Sequence, residues 1–481
     1  MRLVLDLVVN HTSDEHPWFE EARKSRHNPY YNYYHWWPAE KGEPPLRLSY
    51  FDEEGNAWMY NKSTDSYYLH YFSRKQPDLN WENPEVRQEI FDMMRFWFDK
   101  GIDGFRMDSI SLIAKDPSFP LIDSKKYPDI FSFYAKEPRL HLYLHEMNRQ
   151  VLSKYDCMSV GEGSAVMVDD VAKFVDPARE ELNMLYHFDA ARIRNTTLPD
   201  NPESGIDYSL IALKKMFTEW DKAVDKGWPS IYLGNHDQPR MVSRFGSDKD
   251  EFRALSAKML ITFLLTMRGT PYWFAGDEIG MRNIRFDRIE DYNDIDTINR
   301  YKKAKAEGKD PQAVLDEQKE TGRDNARTPF QWDRSPEAGF TAGTPWLKVN
   351  PDYTWINVAD EEKDPTSILN YFKKVVSFRK ENPSLIYGSY HLLDAENPQC
   401  YIFLRKTGAD TYLIMLNFSP KAAISTPGID MSNAHVLLDN YGDRSHMAPQ
   451  KDITLRPFEA IVFQLNHPVY ESFIDSLDLL E

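Results

Sequence analysis

The chain has 481 residues, of which 41% are hydrophobic and 28% charged, and its formal net charge is −17. This length is typical of two or three domains with a large core, and no apolar run is long enough to span a membrane. The acidic balance, uninterrupted by any basic tract, argues against nucleic acid as a partner. With only Cys157 and Cys400, a disulfide framework is excluded and a reducing compartment is favoured.

The opening run, residues 3–9 (LVLDLVV), is almost continuously apolar and of strand length. This pattern is typical of a parallel strand that is covered on both faces. Asp6 is unusual within such a run, since a buried charge needs a partner. The alternative is an edge strand that contains a chance aspartate.

Residues 13–75 are irregular, aromatic and rich in turn residues. We interpret them as a small inserted domain, of the kind that builds substrate walls over the carboxyl ends of barrel strands. A packed loop with its own aromatic core is the alternative, and both interpretations can hold together.

A capped helix and a buried strand follow the insertion. Asn83 and Pro84 begin the helix and Gly101 ends it. The strand ends with Arg106 and Asp108, which share one face because they are two residues apart. A fixed cation beside Asp108 keeps a carboxylate ionised, which suits a nucleophile.

The rest of the chain alternates between strands and helices up to about residue 388. With the two strands above, four further strand-like runs make six, and this βα alternation predicts a parallel sheet. The runs are 157–161, 183–188, 230–234 and 270–275, and the helical segments include 207–224, 252–267 and 367–379. We therefore predict an α/β barrel from residues 1–12 and 76–388. Period-two runs at 401–405 and 411–416 predict a separate antiparallel β domain over 389–481.

Polar side chains stand at four of the predicted strand ends, which converge on one face in a (β/α)₈ barrel. They are Asp6 with Asn10 and His11, Arg106 with Asp108, Glu162, and His236 with Asp237. A polar plug of the barrel is the structural alternative. Glycoside hydrolysis needs one ionised and one protonated acid. Glu162 has no cation next to it in sequence, so it is the candidate for the raised pKa.

Four stretches resemble the signature regions of the α-amylase superfamily, glycoside hydrolase family 13, in the order of its strands three, four, five and seven. They are residues 6–11 (DLVVNH), 104–108 (GFRMD), 160–162 (VGE) and 234–237 (GNHD). Residues 76–81 (QPDLNW) resemble a fifth region in the form typical of oligo-1,6-glucosidases. Residues 323–333 (RDNARTPFQWD) resemble a further block of the α-glucosidase group.

The resemblance implies a retaining, exo-acting α-glucosidase that acts on short isomalto- or malto-oligosaccharides. It implies Asp108 as nucleophile, Glu162 as general acid and then base, and Asp237 as the third carboxylate. The carboxyl groups of Asp108 and Glu162 are expected to lie about 5 Å apart. The residues it implies for substrate binding are Asp6, His11, Arg106, His236 and Arg323.

The resemblance also implies that the chain lacks the first two βα units, because six strands are counted where a closed barrel needs eight. A metal-binding loop of the family would lie in those units, so we expect no metal and no cofactor here. Strand three would then be an exposed edge with an apolar face. Any signal peptide would lie upstream of Met1; we expect a cytoplasmic monomer with an oligosaccharide substrate and no nucleic-acid or membrane partner.

Several alternatives stay open within the same class. Ser109 and Gly163, which follow the two acids, bear on linkage preference, and the arginine-rich loop of sucrose isomerases is absent from 192–200. Trehalose-6-phosphate hydrolase, a sucrose-acting relative and an inactive truncated remnant are the alternatives. A non-catalytic relative, such as a transporter heavy chain, is discounted because the chain keeps all three acids and has no transmembrane helix.

Overall fold

A computed structural model of the chain describes residues 1–51, 55–127, 130–189, 209–408, 410–445 and 451–465. The chain divides into two compact units. The first comprises Met1–Phe188 and Lys222–Pro229, and the second comprises Asp189–Asp221 and Ser230–Glu481. Across the described ranges, no helix combines the length and the apolar character that crossing a membrane requires.

The first unit contains a parallel sheet and a small antiparallel one. Its strands are β1 (Val4–Val8), β2 (Trp36–Pro38), β3 (Trp58–Asn61), β4 (Ser66–Leu69), β5 (Gly104–Asp108), β6 (Met158–Glu162) and β7 (Met184–Tyr186). Its helices are α1 (Pro17–Ala22), α2 (Pro84–Asp99), α3 (Phe131–Tyr134), α4 (Arg139–Gln150) and α5 (Ala172–Val175). The parallel sheet has the order β1-β5-β6-β7, and the antiparallel sheet has the order β2-β4-β3.

Helix α2 precedes β5, an inner strand of the parallel sheet. The Asn83 side chain accepts a hydrogen bond from the Glu85 backbone N–H, and Pro84 occupies the first turn, as predicted. Gly101 follows the helix with a φ of 96°, a left-handed conformation that glycine adopts without strain. Strand β5 then begins between its two neighbours, β1 and β6.

Strand β1 is covered on one face only. Among the described strands it pairs with β5 alone. Leu7 is 2% exposed, whereas Val4 and Val8 are 36% and 45% exposed. The prediction of a strand covered on both faces is therefore wrong for the described sheet. β1 is an edge strand with exposed valines, because no described strand pairs with it on the side away from β5.

The inserted region packs partly on the chain that follows β5. Its buried aromatic residues share a cluster with Leu112, Phe119 and Tyr134, which follow β5 in the chain. The region is therefore not a loop closed on itself. Its boundaries at residues 13 and 75 stay a prediction.

The second unit contains two short parallel strands and a larger antiparallel sheet. Its strands are β8 (Ser230–Ile231), β9 (Thr270–Pro271), β10 (Ser389–Leu393), β11 (Cys400–Thr407), β12 (Asp410–Asn417), β13 (Ala423–Ser425), β14 (His435–Asp439), β15 (Ile453–Leu455) and β16 (Ala460–Leu465). Its helices are α7 (Met241–Phe245), α8 (Arg253–Thr266), α9 (Ile295–Ala306), α10 (Pro311–Thr321), α11 (Val358–Glu361), α12 (Ile368–Glu381) and α13 (Ser384–Tyr387), while α6 (Leu210–Ala223) spans the boundary between the two units.

The antiparallel sheet, with the order β10-β11-β12-β16-β14, lies where the sequence predicted it. Its central strands β11 and β12 are buried along most of their length rather than on alternate residues. One face carries the apolar cluster of the sheet, and Tyr401 on β11 packs against Phe263 of α8 at 5.1 Å between ring centroids. The period-two pattern of the sequence therefore does not correspond to one buried and one solvent-exposed face of these two strands.

A buried ion pair joins the stretch that follows the inserted region to the loop after β5. The Lys115 ammonium lies 3.1 Å from the Asp78 carboxylate and donates to the Asn10 side-chain oxygen at 2.6 Å. Both charged side chains are 1% exposed or less. Burial lowers the pKa of Lys115, and the charge of Asp78 opposes that shift. Each buried charge is therefore stabilised by the opposite charge of its partner.

We expect Lys115→Met to lower the free energy of unfolding by about 3–5 kcal/mol, because it leaves the Asp78 carboxylate buried without its cation. Urea denaturation of the whole chain measures the change. The matched control is Lys24→Met, which breaks an exposed ion pair with Glu21 and should alter stability little. Equal losses in the two variants would contradict this account.

Candidate active site

Arg106 lies at the centre of a cluster of carboxyl groups in the first unit. Its Nη1 donates to Asp6 at 2.8 Å and to Asp108 at 2.6 Å, and its Nη2 donates to Glu162 at 2.9 Å. The Arg106 side chain is 18% exposed and the Glu162 side chain 8%. Asp6 on β1 thus has a cation partner, although its side chain is 56% exposed and not buried as its place in an apolar run suggested.

Strand register explains why these groups meet. Asp6 on β1 and Val160 on β6 both lie opposite Arg106 on β5. Residues two positions further along a strand share its face, so Asp108 and Glu162 follow on the same side. Parallel strands therefore bring the fork of one guanidinium within reach of three carboxyl groups.

Glu162 is the most buried acid of the cluster. Burial and the charge of Asp108 raise the pKa of Glu162 to about 8, although Arg106 and a backbone hydrogen bond from Ser109 oppose the shift. The direction expected from the sequence is confirmed. A side-chain hydrogen bond with Asp108 also raises the pKa of Glu162. The separation of about 5 Å expected between the two carboxyl groups stays a prediction.

The backbone turns sharply after Asp108. Ser109 has a φ of 44°, in the left-handed region that non-glycine residues enter at a cost of roughly 1–3 kcal/mol. This conformation directs the Ser109 backbone N–H to the Glu162 carboxyl at 2.8 Å. A hydrogen bond to Glu162, the predicted acid, thus holds the backbone of Ser109, which follows the predicted nucleophile.

Gly163, which follows Glu162 in the chain, allows close packing against β7. A Cβ at this position would lie 2.7 Å from the Leu185 side chain and 3.0 Å from the Tyr186 carbonyl oxygen. Close approach between the chain after β6 and strand β7 therefore accounts for glycine here. Residues 192–200, where the arginine-rich loop was sought, lie outside the described residues.

Tyr186 was missed by the sequence reasoning. Arg106 Nε donates to its hydroxyl at 2.9 Å, and the guanidinium lies 5.6 Å from its ring centroid. A signal existed, since Tyr186 ends β7 directly opposite Glu162. Aligning the ends of the predicted strands would have found it.

His11 follows β1 and is buried. Its Nε2 lies 3.0 Å from the side-chain nitrogen of Gln76, and its Nδ1 lies 3.3 Å from that of Asn10. Burial lowers the pKa of His11, against the charges of Asp78 and Asp108. The imidazole is therefore neutral at pH 7, able to donate or accept a hydrogen bond but carrying no charge.

The second unit holds a separate cluster around Asp237. Arg327 Nη2 donates to Asp237 Oδ1 at 2.9 Å, and Arg323 Nη1 donates to the same oxygen at 3.3 Å. His236 Nε2 lies 3.2 Å from the other oxygen. Arg323 also binds Asp294. Arg327 and Asp294 were not among the predicted site residues, although Arg327 lies in the 323–333 block.

The structure thus brings five predicted residues together in the first unit and three in the second. The first set is Asp6, His11, Arg106, Asp108 and Glu162, and the second is His236, Asp237 and Arg323. Within the described part of the chain, no group of three or more His, Cys, Asp or Glu side chains is arranged to hold a metal ion.

Comparison with known proteins adds the family. The family described as "Alpha amylase, catalytic domain" matches residues 1–388. The chain belongs to this α-amylase family. It is also 49% identical, over 479 residues, to an oligo-1,6-glucosidase of Parageobacillus thermoglucosidasius, a match that covers 97% of this chain and 84% of the relative.

Other members of the α-amylase family are similar over the same extent. A trehalose-6-phosphate hydrolase of Bacillus subtilis is 39% identical, with 97% of this chain and 83% of the relative covered. The structure of an isomaltulose synthase mutant from Erwinia rhapontici, bound to its natural substrate sucrose, matches with a TM-score of 0.91 and 40% identity, over 97% and 83% of the two chains. The chain accordingly has the TIM-barrel fold of this family with a C-terminal antiparallel sheet.

We expect Asp108→Asn to lower the pKa of Glu162 from about 8, because the substitution removes a negative charge that raises it. Carbon-13 labelling of the glutamate carboxyl groups allows the titration to be followed by NMR, with Glu162→Gln assigning the signal. Asp103→Asn, at the opposite end of the same strand, is the control and should leave the value unchanged. A Glu162 pKa that is the same in both aspartate variants would contradict the coupling.

Proposed function

We propose that the chain is a retaining, exo-acting α-glucosidase that hydrolyses α-glucosidic bonds at the non-reducing end of short isomalto- or malto-oligosaccharides. One observation carries the proposal: two carboxyl groups share the Arg106 guanidinium, and one of them has a pKa raised to about 8. Retaining glycosidases need this pairing of an ionised with a protonated acid. The oligo-1,6-glucosidase relative supports the choice of bond.

In the first step, an Asp108 oxygen attacks the anomeric carbon of glucose. The bond to the leaving oxygen breaks as Glu162 gives that oxygen its proton, and a β-glucosyl ester of Asp108 forms. In the second step, Glu162 takes a proton from water, whose oxygen displaces Asp108 from the anomeric carbon. Glu162 is protonated again, and the product keeps the α configuration.

The remaining roles rest on the family resemblance. Asp237 is proposed to bind the sugar hydroxyls as the third carboxylate. His11, Arg106 and His236 are proposed to bind the same glucose. Arg323 is proposed to lie at the base of the pocket that accepts the non-reducing end, and Asp6 is proposed as a further substrate-binding residue. Five hydrogen bonds from Arg106 to Asp6, Asp108, Glu162 and Tyr186 add a second role, which is to orient the reacting carboxyl groups.

The finer description of the fold is also a proposal. Strand β1 is proposed as the third barrel strand, residues 13–75 as the inserted domain, and 389–481 as the C-terminal domain. The monomeric state and the cytoplasmic location expected from the sequence stay predictions.

Trehalose-6-phosphate hydrolysis is the second candidate, because a relative with that name is 39% identical over 97% of the chain. Incubation with isomaltose, maltose, sucrose and trehalose 6-phosphate, followed by analysis of the sugars released, separates the candidates. Preferred cleavage of the phosphorylated disaccharide would replace the leading proposal, and isomers of sucrose would indicate a sucrose-acting enzyme.

We expect Asp108→Asn to reduce the hydrolysis of 4-nitrophenyl α-glucoside by at least about 10³-fold, because the covalent intermediate cannot form. Release of 4-nitrophenolate measures the rate. Asp103→Asn is the control, and it should retain activity within about twofold, since Asp103 binds the Leu3 backbone at the amino end of β5. A near-parental rate in Asp108→Asn would overturn the assignment. A parent chain inactive on every α-glucoside would favour the inactive remnant.

We expect Glu162→Gln to slow the cleavage of isomaltose far more than that of an aryl glucoside with a good leaving group. The reason is that only the sugar leaving group needs a proton from the general acid, a contribution of about 10²–10⁴-fold. Rates of glucosyl-enzyme formation on the two substrates measure the difference. Equal losses on both substrates would show that Glu162 has another role.

A further inference from the structure

One carboxylate oxygen of Asp294 accepts hydrogen bonds from a helix N-terminus, and the other accepts hydrogen bonds from an arginine. As the N-cap of α9, it accepts hydrogen bonds at Oδ2 from the Thr297 backbone N–H at 3.1 Å and from the Thr297 hydroxyl at 2.8 Å. At Oδ1 it accepts from Arg323 Nε at 2.9 Å and also from Arg323 Nη2. The carboxylate is 1% exposed, so both partners are fixed by a buried group.

A buried polar network holds Asp294 itself. Asp324 accepts hydrogen bonds from the Asn293 and Asp294 backbone N–H groups at 2.7 and 2.8 Å. The Thr297 hydroxyl oxygen also lies 2.8 Å from the Gln318 side-chain oxygen of α10. The helices α9 and α10 lie between Asp294 and Arg323 in sequence, so this network closes the base of the helix pair and brings its two ends together.

Arg323 carries the connection onward to Asp237. Its Nη1 donates to Asp237 Oδ1, the oxygen that also accepts from Arg327 Nη2. Arg327 Nε donates in addition to the His236 backbone oxygen at 2.8 Å. With two guanidiniums on Oδ1, the orientation of the Asp237 carboxylate is set, and Oδ2 is directed to His236 Nε2.

We propose that Asp294 is a positioning residue that holds Arg323 against Asp237 and thereby fixes the orientation of the third carboxylate. The inference rests on the proposed function, in which Asp237 binds the hydroxyls of the reacting sugar. An arginine has several rotatable bonds, and a carboxylate that grips its Nε and Nη2 edge leaves Nη1 pointing in one direction. Sugar-hydroxyl contacts that strengthen in the transition state then meet a preorganised acceptor.

The charge state of Asp294 agrees with this role. Burial raises the pKa of Asp294, but the Arg323 guanidinium and the Thr297 hydrogen bonds outweigh burial and lower it below its usual range. Asp294 therefore stays ionised at neutral pH. Its pairing with Arg323 persists wherever the enzyme is expected to work.

Asp294→Asn tests the proposal with little disturbance of the helix. Asparagine caps helices as well as aspartate does, so the hydrogen bonds from Thr297 can remain while the charge on Arg323 is lost. We expect kcat/KM on 4-nitrophenyl α-glucoside to fall between about 10- and 100-fold, mainly through kcat, as misplacement of a catalytic group does. Asp294→Glu, which restores the charge, should recover part of the loss.

Asp310→Asn is the matched control. Asp310 caps the neighbouring helix α10 by accepting from the Gln312 backbone N–H at 2.9 Å. We expect this variant to keep the parental kcat and KM. Urea unfolding of both variants separates lost positioning from lost folding. If Asp294→Asn keeps kcat/KM within twofold of the control, the proposal is overturned.

A second measurement does not depend on activity. If Arg323 links the two carboxylates, the effects of Asp294→Asn and Asp237→Asn on the urea midpoint are non-additive, and the coupling vanishes when Arg323→Gln is also present. Additive effects in the parental background would overturn the inference. A parent chain that hydrolyses no α-glucoside but shows this coupling would overturn the proposed function alone.

Discussion

The arrangement of the strand ends in the first unit depends on one cation among three carboxyl groups. Within the described contacts, Arg106 is the guanidinium that Asp6, Asp108 and Glu162 share. Were all three acids ionised, the cluster would keep two negative charges in excess. Glu162 is the most buried of the three, so it is the acid for which ionisation costs most, and its raised pKa is the consequence. A lysine could not replace Arg106, because one ammonium lacks the planar fork that reaches across three strands.

Much of this cluster could be predicted from the sequence because it is built by local rules. The shared face of Arg106 and Asp108 follows from the two-residue repeat of a strand. The positions of all six parallel strands followed from apolar runs, although β8 and β9 are shorter than the runs that predicted them. The helix cap at Asn83 is equally local.

Other features depend on contacts between distant parts of the chain. Glu162 was assigned a raised pKa because no cation adjoins it in sequence, yet Arg106 reaches it across the sheet. The direction was right because burial and Asp108 outweigh that cation, a balance that only the folded chain reveals. Asp294 and Arg323 are 29 residues apart, and the Lys115–Asp78 pair spans 37 residues. No periodicity marks such partners.

The contrast between the two clusters shows how the balance of burial and bound cations decides what a buried acid can do. Glu162 and Asp294 are both buried and both bound to an arginine. Around Glu162 burial and the charge of Asp108 outweigh the shared guanidinium, and its pKa rises. Around Asp294 the Arg323 guanidinium and the Thr297 hydrogen bonds outweigh burial, and its pKa falls. An acid of the first kind can exchange a proton with a substrate near neutral pH. An acid of the second kind remains a fixed charge, which suits the orientation of an arginine and not proton transfer. The chemistry proposed for Glu162 and the positioning proposed for Asp294 therefore follow from the same electrostatic rule, with burial prevailing at the first acid and the bound cation prevailing at the second.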